Sequence, residues 1–428
     1  MLNVRSVPFA SGFSAALLAF LLLSCAGPPR LRFQFPAGEP YVRVCLNDQD
    51  RQIEIGLDGD IELRDGTKKY RVRGKSRLKV ELGDNNLLVV SADGVYIGGF
   101  STQISCTHIS SGRFFRYKKR TYSDTLRIVA DGETLLVLNV LPMERYLGGV
   151  VPNEIGHRKK EESEAIMAQA VLARTYAMSK VIIPMVRLFD VYDDTRDQVF
   201  TGAANAGPLV DAALRNSRGV VLAYGDQLAR VFYHSTCGGA TAAPEETWST
   251  AQHIPYLTSI RDRSRYRAWC SPSPFFRWKK QYSRTRMEQI IRKYLPATVA
   301  EYKNERFSKS DFLLGMFIKE RYASGRVKKL DIVFGNKQKR RTFTLFSDKI
   351  RYVLREPAHE AILNSTLFNI HITRDTRRWI TSITIEGAGK GHGVGMCQWG
   401  AIGHARAGIS FERILEFYFP GTHLTTLY

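Results

Sequence analysis

The sequence predicts an α+β protein, with an N-terminal β-rich region followed by a mixed α/β core. Three observations carry this. Between Tyr41 and Val140 short runs alternate apolar with polar residues, the period of strands with one buried face. From Pro142 onward longer segments repeat their apolar residues at three- and four-residue steps, the period of helices. The 428 residues are 44% hydrophobic and 24% charged, a globular composition with enough chain for two or three domains.

At the start of the chain, Arg5 precedes the apolar run "FSAALLAFLLL" (Phe13 to Leu23) and then "SCAGPP". Eleven residues fall short of the roughly 20 that a spanning helix needs, so 1–25 reads as a secretion leader. "LLSC" resembles the lipobox of bacterial lipoproteins, which implies acylation of Cys25 and a membrane anchor outside the cytosol. Residues 26–40 hold four prolines and read as a tether. In 41–140, "VRVCL", "YRVRG", "RLKVEL" and "LRIVA" are strands separated by turns at Asp58, Asp65, Gly83, Asp93 and Asp131.

The region 141–428 begins with a short helix after Pro142, "MERYLGGV", which is expected to break at Pro152. "KEESEAIMAQAVLARTYAMSK" follows as an amphipathic helix with acidic residues in its first turn and Pro184 after its end. "GPLVDAALRNSRG" is a further helix, and "VVLAYGDQLARVFYHS" a hairpin around Gly225 and Asp226. Within a less regular insert at about 280–370 stand a helix at "RMEQIIRKYL" and a hairpin across "GNKQ". The strands "LFNIHIT" and "WITSITIEG" then lead into "GAGKGHGVGMCQWGAIGHARAG", whose last half is a helix ended by Gly408.

A net charge of +21, from 62 basic and 41 acidic residues, calls for an anionic partner: nucleic acid, a lipid surface or an acidic polysaccharide. No helix-turn-helix, zinc-finger or RNP pattern accompanies the charge, and the leader directs the chain out of the cytosol, so no nucleic acid is expected. Five cysteines follow Cys25: Cys45, Cys106, Cys237, Cys270 and Cys397. Cys45 with Cys106 and Cys237 with Cys270 are the expected disulfides in an oxidising compartment. The alternative at the second pair is zinc, held by His234, Cys237 and Cys270, although a structural zinc site takes four ligands and three are in view.

Four stretches depart from what packing requires: "YLGGVVPNEIG", "EAIMAQAVLARTYA", "YHSTCGGAT" and "GHGVGMCQWGA". In the first, Glu154 stands among Val150, Val151 and Ile155, a setting that favours a protonated carboxyl. In the second, Gln169 and Tyr176 share a face with Ala165, Ala168 and Leu172. Ser235 lacks the strand-nucleophile-helix elbow of a serine hydrolase. Cys397 and His392 lack the setting that lowers a thiol pKa. The glycines before Cys397 would let backbone N–H groups approach a ligand, but their spacing fits neither the Walker nor the dinucleotide fingerprint.

Taken in this order, with "DDTRDQVFTG" (193–202) and "ILEFYFPGT" (414–422), these stretches resemble the SpoIID/LytB family of bacterial cell-wall remodelling proteins from about Val140 to the C-terminus. The resemblance implies a catalytic core with a cleft and a lytic transglycosylase that cuts the MurNAc to GlcNAc linkage of denuded peptidoglycan, leaving 1,6-anhydro ends. It makes Glu154 the catalytic acid, and Gln169, Arg174, Tyr176, Gln198, His234, Ser235, His392, Gln398 and Trp399 substrate-binding residues. Arg174 would pair with a lactyl carboxylate and Trp399 would stack on a sugar ring. Intramolecular attack by the sugar's own hydroxyl removes the need for a second carboxylate, and no cofactor is required. The LytB branch implies a different role, a non-catalytic glycan-binding module that stimulates a cell-wall amidase.

Overall fold

The computed structural model describes residues 38–66, 68–182, 188–202, 206–248, 250–336 and 339–428. The leader, Cys25, the tether up to residue 37 and Pro184 lie outside the described residues.

The alternating pattern of the first region becomes two sheets whose apolar faces share one core. One sheet runs in the order Val191–Tyr192, Tyr41–Asn47, Thr134–Pro142, Thr125–Asp131, Gln103–His108, Ile61–Asp65, Lys68–Val72. The other runs Arg120–Tyr122, Phe115–Tyr117, Gln52–Leu57, Arg77–Leu82, Leu88–Ala92, Val95–Phe100. Every pairing is antiparallel except that of Val191–Tyr192 with Tyr41–Asn47. Alternate residues such as Ile53, Ile55 and Leu57 point inward and are buried, while Gln52 and Glu54 face solvent.

This arrangement excludes the expected Cys45–Cys106 disulfide. Two strands stand between theirs, so the backbones are about 14 Å apart at roughly 4.8 Å per strand, against the roughly 4.4–6.8 Å that a bridge spans. The two thiols also enter different clusters, Cys45 beside Phe189 and Cys106 in the main core.

The strand Thr134–Pro142 feeds directly into α1 (Met143–Ile155). Contrary to expectation, α1 does not break at Pro152. The proline removes only the bond its own N–H would make to the Gly148 carbonyl, and Gly156 closes the last turn by donating to Pro152 O at 3.0 Å. Gly156 takes φ 73°, where a left-handed residue ends the helix.

Next comes α2 (Ser163–Val181), whose residues from Ala165 to Thr175 are all buried. It is therefore a central helix and not the one-sided amphipathic helix the spacing predicts. Alanines at 165, 168, 170, 173 and 177 let α1, α3 (Pro208–Asn216), α7 (Gln398–Arg406) and α8 (Phe411–Tyr418) close around it. Two shorter helices, α4 (Pro244–Thr247) and α6 (Lys349–Val353), and the longer α5 (Arg284–Thr298) complete the set described.

The expected hairpin forms as Val220–Tyr224 against Gln227–Leu228, and the C-terminal strand His423–Thr426 adds to its other edge. Residues from Tyr282 to Ile385 build a second core. It comprises α5, the sheet Phe312–Arg321, Val327–Gly335, Arg340–Phe346, and the sheet Trp278–Ser283, Ile380–Gly387, Phe368–Arg374.

Gly149 fixes how α1 meets the loop 197–202. A β-carbon there would lie 2.5 Å from the Phe200 ring and 2.6 Å from Gly202 O. Gly149→Ala is therefore expected to cost about 1–3 kcal/mol by overpacking and to displace the loop beside Glu154, checked by chemical denaturation.

Candidate functional site

Glu154 occupies the last turn of α1, where its side chain is part-buried between that helix and the loop 197–202. The loop is held to the helix by Asn153, whose side-chain amide donates to Thr201 Oγ1 at 2.9 Å and to Gly149 O at 2.6 Å. Phe200 packs underneath against Tyr146, with ring centroids 5.4 Å apart. From the far side Tyr176 on α2 donates to Asp197 Oδ1 at 2.5 Å, and the Tyr192 N–H donates to Asp197 Oδ2 at 2.9 Å. The backbone N–H of Val199 is thereby aimed at Glu154 Oε1, 3.3 Å away.

The other side of the carboxyl is built by the strand Tyr233–His234. The Gln198 amide donates to the Tyr233 hydroxyl at 2.9 Å, and the Tyr146 hydroxyl donates to Gln198 Oε1 at 3.1 Å. The Tyr233 hydroxyl faces the Glu154 carboxyl and favours its ionised form. Burial pushes the Glu154 pKa above the usual carboxylate value, and the bonds from Val199 and Tyr233 pull the other way. Burial dominates, so the site favours a carboxyl that keeps its proton further toward neutrality. Burial also keeps Tyr233 and Tyr146 as neutral phenols. Three cavities, of about 640 Å³ near Arg77, about 600 Å³ near Trp278 and about 580 Å³ near Arg145, are lined by residues other than Glu154.

The glycine-rich motif reaches this strand from the other end of the chain. Met396–Cys397 pairs in parallel with Tyr233–His234, placing "YHSTC" beside "GMCQW". Gly389, Gly391 and Gly395 all have positive φ and lie against Thr236, His234 and Phe232, where a β-carbon would meet atoms at 2.6, 2.8 and 2.1 Å. The glycines therefore permit close backbone packing. The His392 Nε2 and the Tyr233 carbonyl are 3.0 Å apart, and the Val394 N–H donates to His392 Nδ1 at 3.1 Å. Burial, aided by Arg351, lowers the His392 pKa to about 4, so the ring is neutral.

Of the other predicted site residues, several serve the frame. Arg174 is fully buried and makes a two-point ion pair with Glu144 at 2.8 and 2.7 Å, with a third bond to Val220 O at 2.9 Å. It is thus committed to the protein and is not a free partner for a glycan carboxylate. Gln169 is fully buried and accepts from Gln398 Nε2 at 3.3 Å, tying α2 to α7. His234 is buried too, its Nδ1 3.1 Å from Val394 O. Ser235 is part-buried and its carbonyl accepts the Trp399 N–H at 3.1 Å, while one side of the Trp399 ring carries the Arg158 guanidinium at 5.4 Å. Glu154 and Tyr176 both bond the segment 197–199 that carries Gln198. Sequence reasoning misses Tyr233, Tyr146, Asn153 and Asp197, although Tyr233 opens the quoted "YHSTC" and Asn153 precedes Glu154.

The expected Cys237–Cys270 disulfide is not formed. The sulfur atoms are 3.4 Å apart, well beyond a bond length of about 2.05 Å, and both cysteines are free. The alternative ligand set is also incomplete, because the cluster containing Cys237 and Cys270 includes Cys397 and Asp262 and not His234.

This α+β architecture, with the part-buried Glu154 carboxyl facing neutral donors, defines a candidate acid–base site. Residues 131–224 match the SpoIID family, described as stage II sporulation protein, and residues 268–395 match a domain of unknown function, DUF8618. The chain is 30% identical over 362 residues to the amidase enhancer of Bacillus subtilis, covering 74% of this chain and 47% of that protein, about half its length. It is 25% identical over 300 residues to stage II sporulation protein D of Bacillus subtilis, covering 67% and 75%. An uncharacterized protein of Brachyspira hyodysenteriae is 27% identical over 399 residues, covering 91% and 94%. Residues 131–224 thus carry a SpoIID domain, and most of the chain is similar to the SpoIID and amidase enhancer proteins.

Proposed function

We propose that this protein is a peptidoglycan lytic transglycosylase in which Glu154 acts first as acid and then as base. The family and its relatives support a cell-wall-related role. The observation that carries the finer reading is the Glu154 carboxyl, raised in pKa by burial yet offered two donors that stabilise its ionised form. A protonated Glu154 gives its hydrogen to the glycosidic oxygen as the bond to the MurNAc C1 breaks. The carboxylate left behind is held by the Val199 N–H and the Tyr233 hydroxyl. It then removes the proton of the sugar's C6 hydroxyl as that oxygen bonds to C1, which closes the anhydro ring and consumes no water. Asp197 is not available as a second catalytic carboxylate, because Tyr176 and the Tyr192 N–H occupy its oxygens.

The chain is read as extracytoplasmic and, through Cys25, lipid-anchored. Among the described residues no helix is long and apolar enough to cross a membrane. The basic excess suits an anionic envelope polymer.

The Bacillus subtilis relative named amidase enhancer favours a second reading, a glycan-binding module that stimulates a cell-wall amidase. Mass analysis after incubation with denuded glycan separates the two. The transglycosylase reading expects new anhydro ends without amidase. Absence of cleavage, with an amidase stimulated equally by the wild type and Glu154→Gln, would transfer the assignment to the enhancer.

Tyr233→Phe offers a signed test of the carboxyl's environment. Its hydroxyl favours the ionised form, so its loss is expected to raise the Glu154 pKa further. The descending alkaline limb of activity should move to higher pH, read from rates across a pH series. An unmoved limb would remove Tyr233 from the account.

A further inference from the structure

We infer that Cys237, Asp262, Cys270 and Cys397 form a structural zinc site behind the strand that carries Tyr233. All four are buried, and their ligand atoms lie within 4.8 Å of one another. The groups come from separate parts of the chain. Cys397 ends the strand paired with Tyr233–His234, Cys237 follows that strand, and Asp262 and Cys270 belong to the loop crossing beneath α7. Cys237 Sγ is 2.9 Å from Asp262 Oδ2 and 3.4 Å from Cys270 Sγ. A tetrahedral zinc with Zn–S of about 2.3 Å and Zn–O of about 2.0 Å has ligand edges of about 3.8 and 3.5 Å. An outward movement of about half an ångström makes room for the ion.

The surroundings suit thiolate ligands. Sulfur atoms accept backbone N–H groups from three positions: Gly239 to Cys237 at 3.3 Å, Cys237 to Cys397 at 3.2 Å, and Gly400 to Cys397 at 3.2 Å. The Tyr418 hydroxyl donates to Asp262 Oδ1 at 2.9 Å and leaves Oδ2 turned toward the sulfurs. Asp262 is fully buried, and among the described residues no lysine or arginine forms an ion pair with it. Its near charged-type neighbour is the His404 ring, 3.8 Å away. An ionised carboxylate in that position is costly without a cation. Gly400 is part of the construction, since a β-carbon there would stand 2.4 Å from Asp262 Oδ2 and 2.1 Å from the Tyr418 oxygen.

A Cys237–Cys270 disulfide would engage two of these groups and leave the Cys397 thiol and Asp262 Oδ2 facing it. Zinc engages all four, each coordinating thiol giving up its proton. The soft sulfur-rich set with four ligands selects zinc over magnesium or calcium. Bound there, the ion would fasten the loop 262–270 and the start of α7 to the strand of Tyr233, and so hold the hydroxyl that faces Glu154.

The test uses the full chain purified without chelator. Elemental analysis should find one zinc per chain, and the denatured, unreduced mass should show every thiol retained. Cobalt substitution should give the thiolate-to-metal charge-transfer bands of a tetrahedral sulfur site. Cys270→Ser and Asp262→Asn should lose zinc, whereas Cys45→Ser, far away in the sheet, should keep it. If the variants fail to fold, the metal content and cobalt spectrum of the wild-type chain still decide. A metal-free wild-type chain lighter by two hydrogens would overturn the site in favour of a disulfide. A metal-free chain with three free buried thiols that stays metal-free after refolding with zinc would overturn it as well.

Discussion

Glu154→Gln is expected to abolish anhydro-end formation, with a loss of about a thousandfold or more in rate, while the protein keeps or gains stability. General acid–base catalysis by one positioned group contributes about 10²–10⁴-fold, and here one carboxyl serves both halves of the reaction. Glutamine keeps the shape and accepts the same Val199 N–H, but it has no proton to give. The stability half follows from linkage. Burial raises the folded pKa of Glu154 above its unfolded value, so the folded state binds the extra proton. The contribution is most favourable below the unfolded pKa and is lost as pH rises through the folded one. The substituted amide carries no charge at any pH, so wild type and Glu154→Gln should be similar in acid, and Glu154→Gln should be the more stable at neutral and alkaline pH, by roughly 1 kcal/mol. Paired activity assays and melting curves across pH check both halves. Activity lost together with folding would instead make Glu154 a structural residue.

Arg174→Met is expected to cost about 3–5 kcal/mol of stability, the effect of breaking a buried ion pair from one side. The substitution removes both bonds to Glu144 and the bond to Val220 O that ties α2 to its neighbouring strand. It leaves the Glu144 carboxylate with the Tyr428 hydroxyl at 2.7 Å as its remaining strong donor. Arg174→Lys should recover only part of the loss, because an ammonium cannot reproduce the two-point geometry. Replacing Glu144 by Leu together with Arg174→Met should restore much of the stability, since the apolar pair leaves no charge unpaired. Denaturation curves measure all three. Glycan binding by the folded fraction should be unchanged, whereas a substrate-binding arginine would show weaker binding at unaltered stability.

The two predictions mark what can be read from the residues. Strand alternation in 41–140 and the helical period after Pro142 survive folding because each reports a local choice of which face is buried. The apolar company of Glu154 is equally local, and it points to the burial that raises its pKa. Arg174 is misread from sequence because its partner lies 30 residues earlier, on a helix whose approach depends on the alanines between them. Pro152 reads as a break when the missing N–H is weighed without the Gly156 cap that completes the turn. Tyr233 carries no signal of its own. Its part at the site arises from the pairing of Tyr233–His234 with Met396–Cys397, about 160 residues apart in sequence, and that same pairing brings Cys397 to Cys237.

Direct titration of the Glu154 carboxyl, by carbon-labelled NMR of the wild type against Glu154→Gln to assign the signal, reads the proton on which the proposed reaction depends. The account predicts a midpoint above the ordinary glutamate value of 4.5 that climbs further in Tyr233→Phe. A midpoint at or below that value in both proteins would contradict it.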